Sequence, residues 1–371
     1  MILSSRITDV EFLLSKDELT YGKVLDDFTN AKKIYILTYN ISKKNDELLK
    51  AIKECGESTE IKIISNIPGR WNEYFSENYA NLAKRNIAIY KNKLNPQQIA
   101  EKAEVYFCFA NHAKIIMTDN IVYVGSSNFS EESAENIESG FISRDKNFIE
   151  FLENEVFPWV IGYSSNYNID DELLFLQASI QQSVAMFESI YESYHMKFYF
   201  LADHRGQERW YYNLNEDNFS LNDIDKTVEL FDNYLELLEH INRIFGLNVV
   251  INEGIDDIID LIDYANKVVN NIKGIFSENL YDLARFNKQD FIDDYMNENL
   301  MEAYDEYLDD YMDKAMDAAN DTFEELAEGL KDDVDELLEK LKYMKDISKN
   351  VLKRFNEVPK NLIQIDNTKF K

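Results

Sequence analysis

Short apolar runs alternate with polar, amphipathic stretches over the first 160 residues of the chain. Runs rich in β-branched and aromatic residues predict strands at 33–41, 60–67, 87–90 and 105–109. Amphipathic stretches predict helices at 46–55, 71–85 and 96–103. Two tightly joined strands are predicted next, at 114–117 and 121–124, then an extended run at 140–143 and an acidic helix from about Asp145. This order predicts an α/β domain with a mixed sheet and flanking helices.

Long helical periods replace this pattern in the second half of the chain. Amphipathic segments predict helices at 171–194, 221–245 and 255–276. From Phe323 to Met344 the apolar positions alternate steps of four and three, a seam typical of a coiled coil or bundle helix. The seam can pair within the bundle or with a second subunit. We predict an α/β domain at residues 1–165 and an acidic, all-α helical bundle or coiled-coil domain at 166–371, with a regulatory or interaction role.

Composition and charge exclude some classes of protein. The 371 residues include 39 Lys and Arg against 69 Asp and Glu, a net charge of −30, yet 45% are hydrophobic and 13% aromatic. Such a chain can bury a core and is not a disordered acidic tail. Residues 1–160 hold 19 basic and 24 acidic residues, so most of the negative charge lies in the second half. A field of this sign argues against broad, non-specific binding to DNA or to an anionic membrane, although a local site can escape it.

The expected compartment is the cytoplasm. Two cysteines, Cys55 and Cys108, give no disulfide framework. The first 14 residues carry charges where a signal peptide is apolar, and no later segment has the length of apolar residues that a membrane span requires.

One stretch combines residues suited to phosphate chemistry. His112 and Lys114 are two positions apart, so on a strand they would project from the same face. The turn after Asp119 returns the chain, and the segment from Gly125 to Asn128 then supplies backbone and amide donors near the end of the hairpin. A titratable nitrogen, a fixed cation and these donors together predict a phosphate site.

These residues resemble the HKD signature of the phospholipase D superfamily, which reads H-x-K, four residues, D, a short spacer and G-S-x-N. The spacer between Asp119 and Gly125 has five residues, where six is the common form in the family. We expect the turn to absorb the difference. The resemblance covers roughly residues 30 to 160, where it implies the superfamily's fold, and says nothing about residues 170–371.

The resemblance implies a role for each matching residue. His112 is the nucleophile that forms a phosphohistidine, Lys114 and Asn128 hold the non-bridging oxygens, and Ser126 assists in substrate binding. A neutral imidazole can attack near pH 7, and a cation with an amide donor can stabilise the developing charge. The chemistry therefore needs no metal and no other cofactor.

Two acidic positions have different expected roles. Glu138 matches the family's acidic residue that accepts a hydrogen bond from the far ring nitrogen of His112, and Glu135 is the alternative. Asp119 lies at the hairpin turn, where we expect a structural role.

A single histidine leaves the reaction incomplete, because a second group must protonate the leaving oxygen and then activate water. The family supplies it with a second motif or with a second subunit. We therefore expect a homodimer through the phospholipase D-like domain, with the two His112 side chains facing one another across a shared cleft.

Other candidates have weaker support. Four basic residues without intervening acids flank the predicted strand 87–90 and could steer a nucleic-acid backbone, or simply be solvated strand ends: Lys84, Arg85, Lys91 and Lys93. His195 and Lys197 form a second H-x-K, but no G-S-x-N follows. An aromatic-rich hairpin or loop at 198–212 is the better interpretation of that region. His204 and His240 have no partners at metal-ligand spacing.

The sequence thus favours a metal-independent phosphodiesterase, most of all a nuclease, whose helical domain gates the site or recruits a protein partner. Short single-motif members of the superfamily include bacterial nucleases, some of which serve in restriction or antiviral defence, and the resemblance extends that expectation to this chain. The alternatives are a catalytically silent scaffold or sensor that binds a phosphate-bearing ligand, and a phospholipid hydrolase.

Overall fold

The structure is a computed structural model that describes residues 2–42, 47–56, 58–69, 77–100, 103–204, 207–213, 219–246, 256–299 and 308–357. Contacts between Cα atoms divide the chain into one unit within residues 1–181 and another within residues 182–357. The division falls inside a long helix, Asp171–Phe198. The domain boundary at residue 165 stays a prediction.

The first unit is built on a mixed sheet, as the sequence predicts. The described strands are β1 (Val10–Ser15), β2 (Lys33–Thr38), β3 (Glu60–Ser65), β4 (Ala103–Phe107), β5 (Ile115–Thr118), β6 (Val122–Gly125), β7 (Glu138–Ser143) and β8 (Ser165–Asn166). They form one eight-stranded sheet in the order β1-β7-β6-β5-β2-β3-β4-β8. Strands β2, β3 and β4 run parallel, and the other pairings are antiparallel.

Helices of 4 to 17 residues alternate with the strands of this sheet. They are α1 (Gly22–Leu25), α2 (Glu47–Lys53), α3 (Glu77–Lys93), α4 (Pro96–Ile99), α5 (Lys146–Phe151) and α6 (Phe157–Ile161). Side-chain caps fix two of their starts: Asn95 accepts the amide of Gln97 before α4, and Asp145 accepts the amides of Asn147 and Phe148 before α5. The predicted helix start at Asp145 is therefore confirmed, since a cap of this kind satisfies amides that have no intrahelical partner.

The centre of the sheet is buried, whereas the edge formed by β1 is exposed to solvent. Strand β2 is almost completely buried and lies between β3 and β5, and its Tyr35 and Leu37 pack with residues of α5 and α6 in one core cluster. At the opposite extreme, β1 is an edge strand of the sheet. Its Val10, Phe12 and Leu14 share one face of the strand and are exposed by 50%, 72% and 68%.

The predicted strand at 87–90 is wrong, because these residues lie within α3. Ala83, Ile87, Tyr90 and Leu94 are all buried, a spacing of three and four residues that matches a helix face. Ile89, which a strand would bury together with Ile87, is 38% exposed. The short run of β-branched residues suggested a strand, but burial follows the helical period.

Two predicted helices also have different bounds. The prediction 71–85 overlaps residues 70–76, which lie outside the described residues, and α3 continues eight residues beyond its predicted end, to Lys93. The prediction 96–103 is too long: α4 ends at Ile99, and β4 begins at Ala103, where the chain enters the sheet beside β3.

The second unit is mainly helical. It contains the later part of α7 (Asp171–Phe198), then α8 (Leu221–Gly246), α9 (Asp256–Ile275), α10 (Tyr281–Arg285), α11 (Lys288–Asn299), α12 (Leu308–Gly329) and α13 (Lys331–Glu357). Helix α9 packs against α8 and α13, and α11 packs against α12. Between α7 and α8, β9 (Tyr199–His204) and β10 (Gln207–Tyr212) form the predicted hairpin.

The apolar seam from Phe323 to Met344 does not lie on one helix. Helix α12 ends at Gly329, and α13 begins at Lys331. The seam is nevertheless buried on both sides of the break, at Phe323 and Ala327 in α12 and at Val334 and Leu337 in α13. Because α13 packs against α9, this part of the seam pairs within the chain.

Candidate functional site

His112 lies in the loop between β4 and β5, and not on a strand as expected. Strand β5 begins at Ile115, so His112 and Lys114 both precede it. The loop is fixed by the buried side chain of Asn111, which donates to the carbonyl of Thr38 (2.8 Å) and accepts the amide of Ala113 (2.9 Å). Asn66 donates to the carbonyls of Phe109 and Asn111, both at 3.1 Å. Side-chain hydrogen bonds, and not a strand ladder, therefore position the histidine.

The loop still brings the two predicted groups together. The ammonium of Lys114 lies 3.3 Å from Nδ1 of His112 and donates to the His112 carbonyl at 2.6 Å. His112 is exposed, whereas Lys114 is only 8% exposed. Burial lowers the pKa of Lys114, and the negative charge of Glu138 partly opposes this effect. The imidazole of His112 is therefore accessible to a ligand, and the ammonium beside it belongs to a buried side chain.

An aromatic ring completes this cluster. Tyr39 follows β2 directly, and its ring centroid lies 4.8 Å from that of His112. The ammonium of Lys114 is 5.3 Å from the centre of the same ring, within the range of a cation–π interaction. Tyr39, Asn66 and Asn111 were not predicted from the sequence. Their spacing from His112 carries no recognisable pattern, because only the sheet order brings the ends of β2, β3 and β4 to one place.

The G-S-x-N segment begins where β6 ends, next to Lys114. Gly125 donates its amide to the Lys114 carbonyl at 3.3 Å, and Ser126 donates its amide to the Ser139 carbonyl at 2.8 Å. A side chain at Gly125 would meet the Tyr123 hydroxyl at 2.1 Å, so the position requires glycine. Asn128 is half-buried, and its Oδ1 is a buried acceptor that lacks a hydrogen-bond partner among the described residues.

The shortened spacer is absorbed by the turn, as expected. Strands β5 and β6 pair Ile115 with Val124 and Met117 with Val122, and Thr118 donates its amide to Ile121. Asp119 and Asn120 thus form a two-residue turn. Asp119 accepts the amides of Lys32 and Lys33 at 2.8 and 3.2 Å, which ties the turn to the start of β2. These bonds give Asp119 the structural role that we expected.

Glu138 is placed near the cluster but does not contact His112. It is the first residue of β7, only 8% exposed, and among the described residues its carboxylate accepts a hydrogen bond from the Ser126 hydroxyl and not from His112. The expected bond to the far ring nitrogen is therefore not formed. Glu135, the alternative, is exposed on a 3-10 turn and is not part of this contact.

The predicted basic patch lies on α3 and not beside a strand. Lys84 forms an ion pair with Glu172 (2.8 Å), and Lys91 forms one with Asp171 (2.7 Å). Lys93 donates to the Ser42 carbonyl at 2.8 Å, while Arg85 is exposed. Acidic residues from the start of α7 therefore offset part of the charge, and substrate binding by this patch stays a prediction.

The second H-x-K lies at the end of α7. The His195 ring packs against those of Tyr199 and Trp210, with centroids 5.2 and 4.5 Å away, and Lys197 pairs with Asp223 at 3.0 Å. An aromatic cluster accounts for this histidine, in line with the interpretation from sequence.

No helix within the described ranges has both the length and the apolar character needed to cross a lipid bilayer.

Known proteins resemble the first part of the chain. Residues 24–157 match the family described as "Cardiolipin synthase, PLD-like domain". Nuc from Salmonella typhimurium, a phospholipase D family member, is 18% identical over 43% of this chain and 97% of its own, with a TM-score of 0.30. NucT from Helicobacter pylori is 14% identical over 43% of this chain and 99% of its own, also with a TM-score of 0.30. No curated protein matches the chain.

Proposed function

The chain belongs to the phospholipase D superfamily through residues 24–157, and from this premise we propose that it is a metal-independent phosphodiesterase with His112 as its nucleophile. The observation that carries the proposal is the exposed imidazole of His112 beside the buried ammonium of Lys114, 3.3 Å from its Nδ1. An accessible nucleophile next to a fixed positive charge is the arrangement that attack on a phosphate diester requires.

In the proposed mechanism, the tautomer of resting His112 is assigned from its contact with Lys114. An ammonium only donates, so Nδ1 of His112 accepts from Lys114, and the proton of the neutral ring is on Nε2. A bound phosphate draws the ammonium to its own oxygens. Nδ1 then takes the proton through solvent, and the Nε2 lone pair is free to attack.

The reaction proceeds in two balanced steps. In the first, Nε2 of His112 forms a bond to phosphorus while the bond to the leaving oxygen breaks, and the His112 of a second copy gives that oxygen its proton. In the second, the same second imidazole takes a proton from water, whose oxygen displaces Nε2 from phosphorus. The second histidine returns to its starting protonation state, and one water molecule is consumed.

The remaining site residues act around this centre. Lys114 and the Asn128 side-chain amide hold the non-bridging oxygens, and the Ser126 hydroxyl binds substrate next to them. Glu138 orients Ser126 and keeps Lys114 charged, since its carboxylate contacts the former and acts electrostatically on the latter. This role replaces the expected direct contact with His112.

We further propose that the active form is a homodimer and that the substrate is a nucleic acid. The dimer follows from the need for a second histidine, and the nuclease assignment rests on the resemblance to single-motif members of the superfamily. The helical domain then recruits a protein partner or gates the site. A role in bacterial defence has the same basis in resemblance.

Cleavage of labelled DNA, RNA and a chromogenic phosphodiester, measured in excess EDTA, tests the enzyme proposal. Wild-type protein should cleave at least one of them, and His112→Ala and Lys114→Ala should lose at least about a thousandfold of that rate. His195→Ala is the matched control, because it removes the other H-x-K histidine and should leave the rate unchanged.

Loss of activity in EDTA, or full activity of His112→Ala, would contradict the mechanism. Binding of the same ligands without turnover would instead favour a silent scaffold or sensor. A labelled phospholipid vesicle in the same assay distinguishes the nuclease from a phospholipid hydrolase.

A further inference from the structure

Tyr39 lies outside the predicted motif, and its ring is close to both central groups of that motif, His112 and Lys114. Its ring lies 4.8 Å from the His112 ring, with an angle of 53° between the planes, and 5.3 Å from the Lys114 ammonium. The Tyr39 side chain is half-buried, whereas His112 is exposed.

The backbone on each side of this contact is fixed. Thr38, which precedes Tyr39, accepts the Asn111 side chain through its carbonyl at 2.8 Å and the Phe129 amide through its hydroxyl at 2.9 Å. The first bond ties the end of β2 to the loop that carries His112, and the second ties it to the segment that carries Asn128. Two hydrogen bonds of the residue before Tyr39 therefore join the end of β2 to both parts of the site.

We propose that Tyr39 is a positioning residue, whose ring face holds the His112 imidazole and the Lys114 ammonium in the arrangement that receives a phosphate group. The inference rests on the proposed function. It assigns the role to the aromatic ring and not to the hydroxyl, which makes no hydrogen bond to any described residue.

The ring acts on the two groups in different ways. A ring face stabilises an ammonium through its quadrupole, which compensates part of the hydration that Lys114 loses on burial. Contact with the imidazole limits the rotation of an otherwise exposed side chain, and small errors in the position of a nucleophile are costly in rate. Loss of the ring should therefore lower kcat more than it raises KM.

Two variants separate the ring from the hydroxyl. Tyr39→Phe keeps the ring and should retain wild-type kcat and pH dependence. Tyr39→Leu keeps an apolar side chain without a ring face, so Lys114 stays desolvated but loses its cation–π partner. We expect kcat to fall about tenfold or more, KM to rise by a smaller factor, and the alkaline limb of the pH–rate profile to move about half a pH unit lower.

A binding measurement makes the test independent of turnover. In protein with ¹⁵N-labelled histidine, only four ring systems are present, and inorganic phosphate should perturb the resonances of His112. The apparent affinity for phosphate should be preserved in Tyr39→Phe and weakened severalfold in Tyr39→Leu. Circular dichroism checks the fold, and Tyr39→Met replaces the Leu variant if that protein does not fold.

The outcomes distinguish the two proposals. If wild-type protein binds phosphate and cleaves substrate, and Tyr39→Leu matches it in kcat, pH profile and phosphate affinity, the positioning role is wrong and the proposed function stands. If phosphate binds and weakens as expected in Tyr39→Leu while no substrate is cleaved, the positioning role stands and the enzyme proposal fails. If wild-type protein neither binds phosphate nor cleaves substrate, both fail together.

Discussion

The ammonium of Lys114 lies in a setting that disfavours its charge. It is buried beside an exposed imidazole, burial lowers its pKa, and Glu138 compensates only in part. A group of this kind loses its proton at a lower pH than an ordinary lysine. If the charged form binds the phosphate oxygens, activity must fall on the alkaline side as Lys114 deprotonates.

We therefore expect the alkaline limb of the kcat/KM profile to lie below the usual range of lysine side chains. Glu138→Gln removes the opposing charge and should move that limb to still lower pH, because the carboxylate favours the ammonium. Lys114→Arg should lower the rate but abolish the limb, since a guanidinium stays charged. A limb that is unchanged in Lys114→Arg would assign it to another group.

Gly125 is a second single residue with a definite requirement. A Cβ there would lie 2.1 Å from the Tyr123 hydroxyl and 2.4 Å from the Ser139 carbonyl, and the carbonyl belongs to a neighbouring strand that cannot give way easily. We expect Gly125→Ala to lower the free energy of unfolding by about 1–3 kcal/mol, measured by urea denaturation. Gly22→Ala is the control: no atom lies within 4 Å of its added methyl, so stability should change little.

Single residues also show how far the sequence predicts the site. The type and spacing of His112, Lys114 and the G-S-x-N segment were sufficient to place them near one another, because each stands next to a strand of one hairpin. Tyr39 and Asn111 reach the same place through β2 and the β4–β5 loop. Their contacts depend on which strands are neighbours in the sheet. The spacing of residues along the chain does not predict that strand order.

Among the elements, α3 tests how well hydrophobic pattern separates strand from helix. Residues 87–90, with two isoleucines, fit the period of a strand as well as that of a helix. The buried positions from Ala83 to Leu94 fit only the helical period. Ile87→Ala should cost about 2–5 kcal/mol, because Ile87 is fully buried. Ile89→Ala, on the exposed side, should cost much less. Equal losses in urea denaturation would indicate that both side chains are buried, as a strand would require.

The β4–β5 loop shows why the site's local geometry was harder to predict than its residues. A strand through His112 would have pointed His112 and Lys114 the same way into one cleft. Instead Asn111 bonds its own neighbour Ala113 and the end of β2, so the chain turns before the strand begins. Short polar side chains compete with ladder hydrogen bonds in this way, and the outcome depends on the partner that the fold supplies.

At the scale of the whole molecule, the net charge of −30 opposes a polyanionic substrate. Association with a nucleic acid should therefore speed up as salt screens the repulsion, the reverse of ordinary nucleic-acid binding. We expect kcat/KM for DNA or RNA to rise between about 0.01 and 0.1 M salt, over which the screening length falls from about 30 to 10 Å. A small phosphodiester should show little change. A fall in rate for the polymer would instead indicate a dominant local basic surface.

The assembly gives a further test, because the β1 edge is a second place at which two copies could join. If β1 paired with β1 across a two-fold axis, each β5 would lie three strands from the joined edge, and the two β5 strands would be roughly 34 Å apart. Such a dimer could not bring two His112 side chains into one cleft. The proposed shared site therefore requires a dimer in which the two β1 edges do not pair.

Phe12→Lys should accordingly leave the native mass at twice the chain's 43.6 kDa and leave activity unchanged, measured by multi-angle light scattering and the cleavage assay. Conversion of Phe12→Lys to a monomer would place the interface at the β1 edge. If the wild-type protein is a monomer under assay conditions, no second His112 is present to protonate the leaving oxygen, and the proposed mechanism fails.

The two-residue turn at Asp119 and Asn120 also determines how the motif spacing can vary. His112 and Asn128 lie outside the two ends of the hairpin, so a residue added at its tip should change neither the pairing beneath it nor the distance between the reactive groups. We therefore expect the site to tolerate a longer interval between Asp119 and Gly125. A single glycine inserted after Asn120 would reproduce the longer interval and should be tolerated.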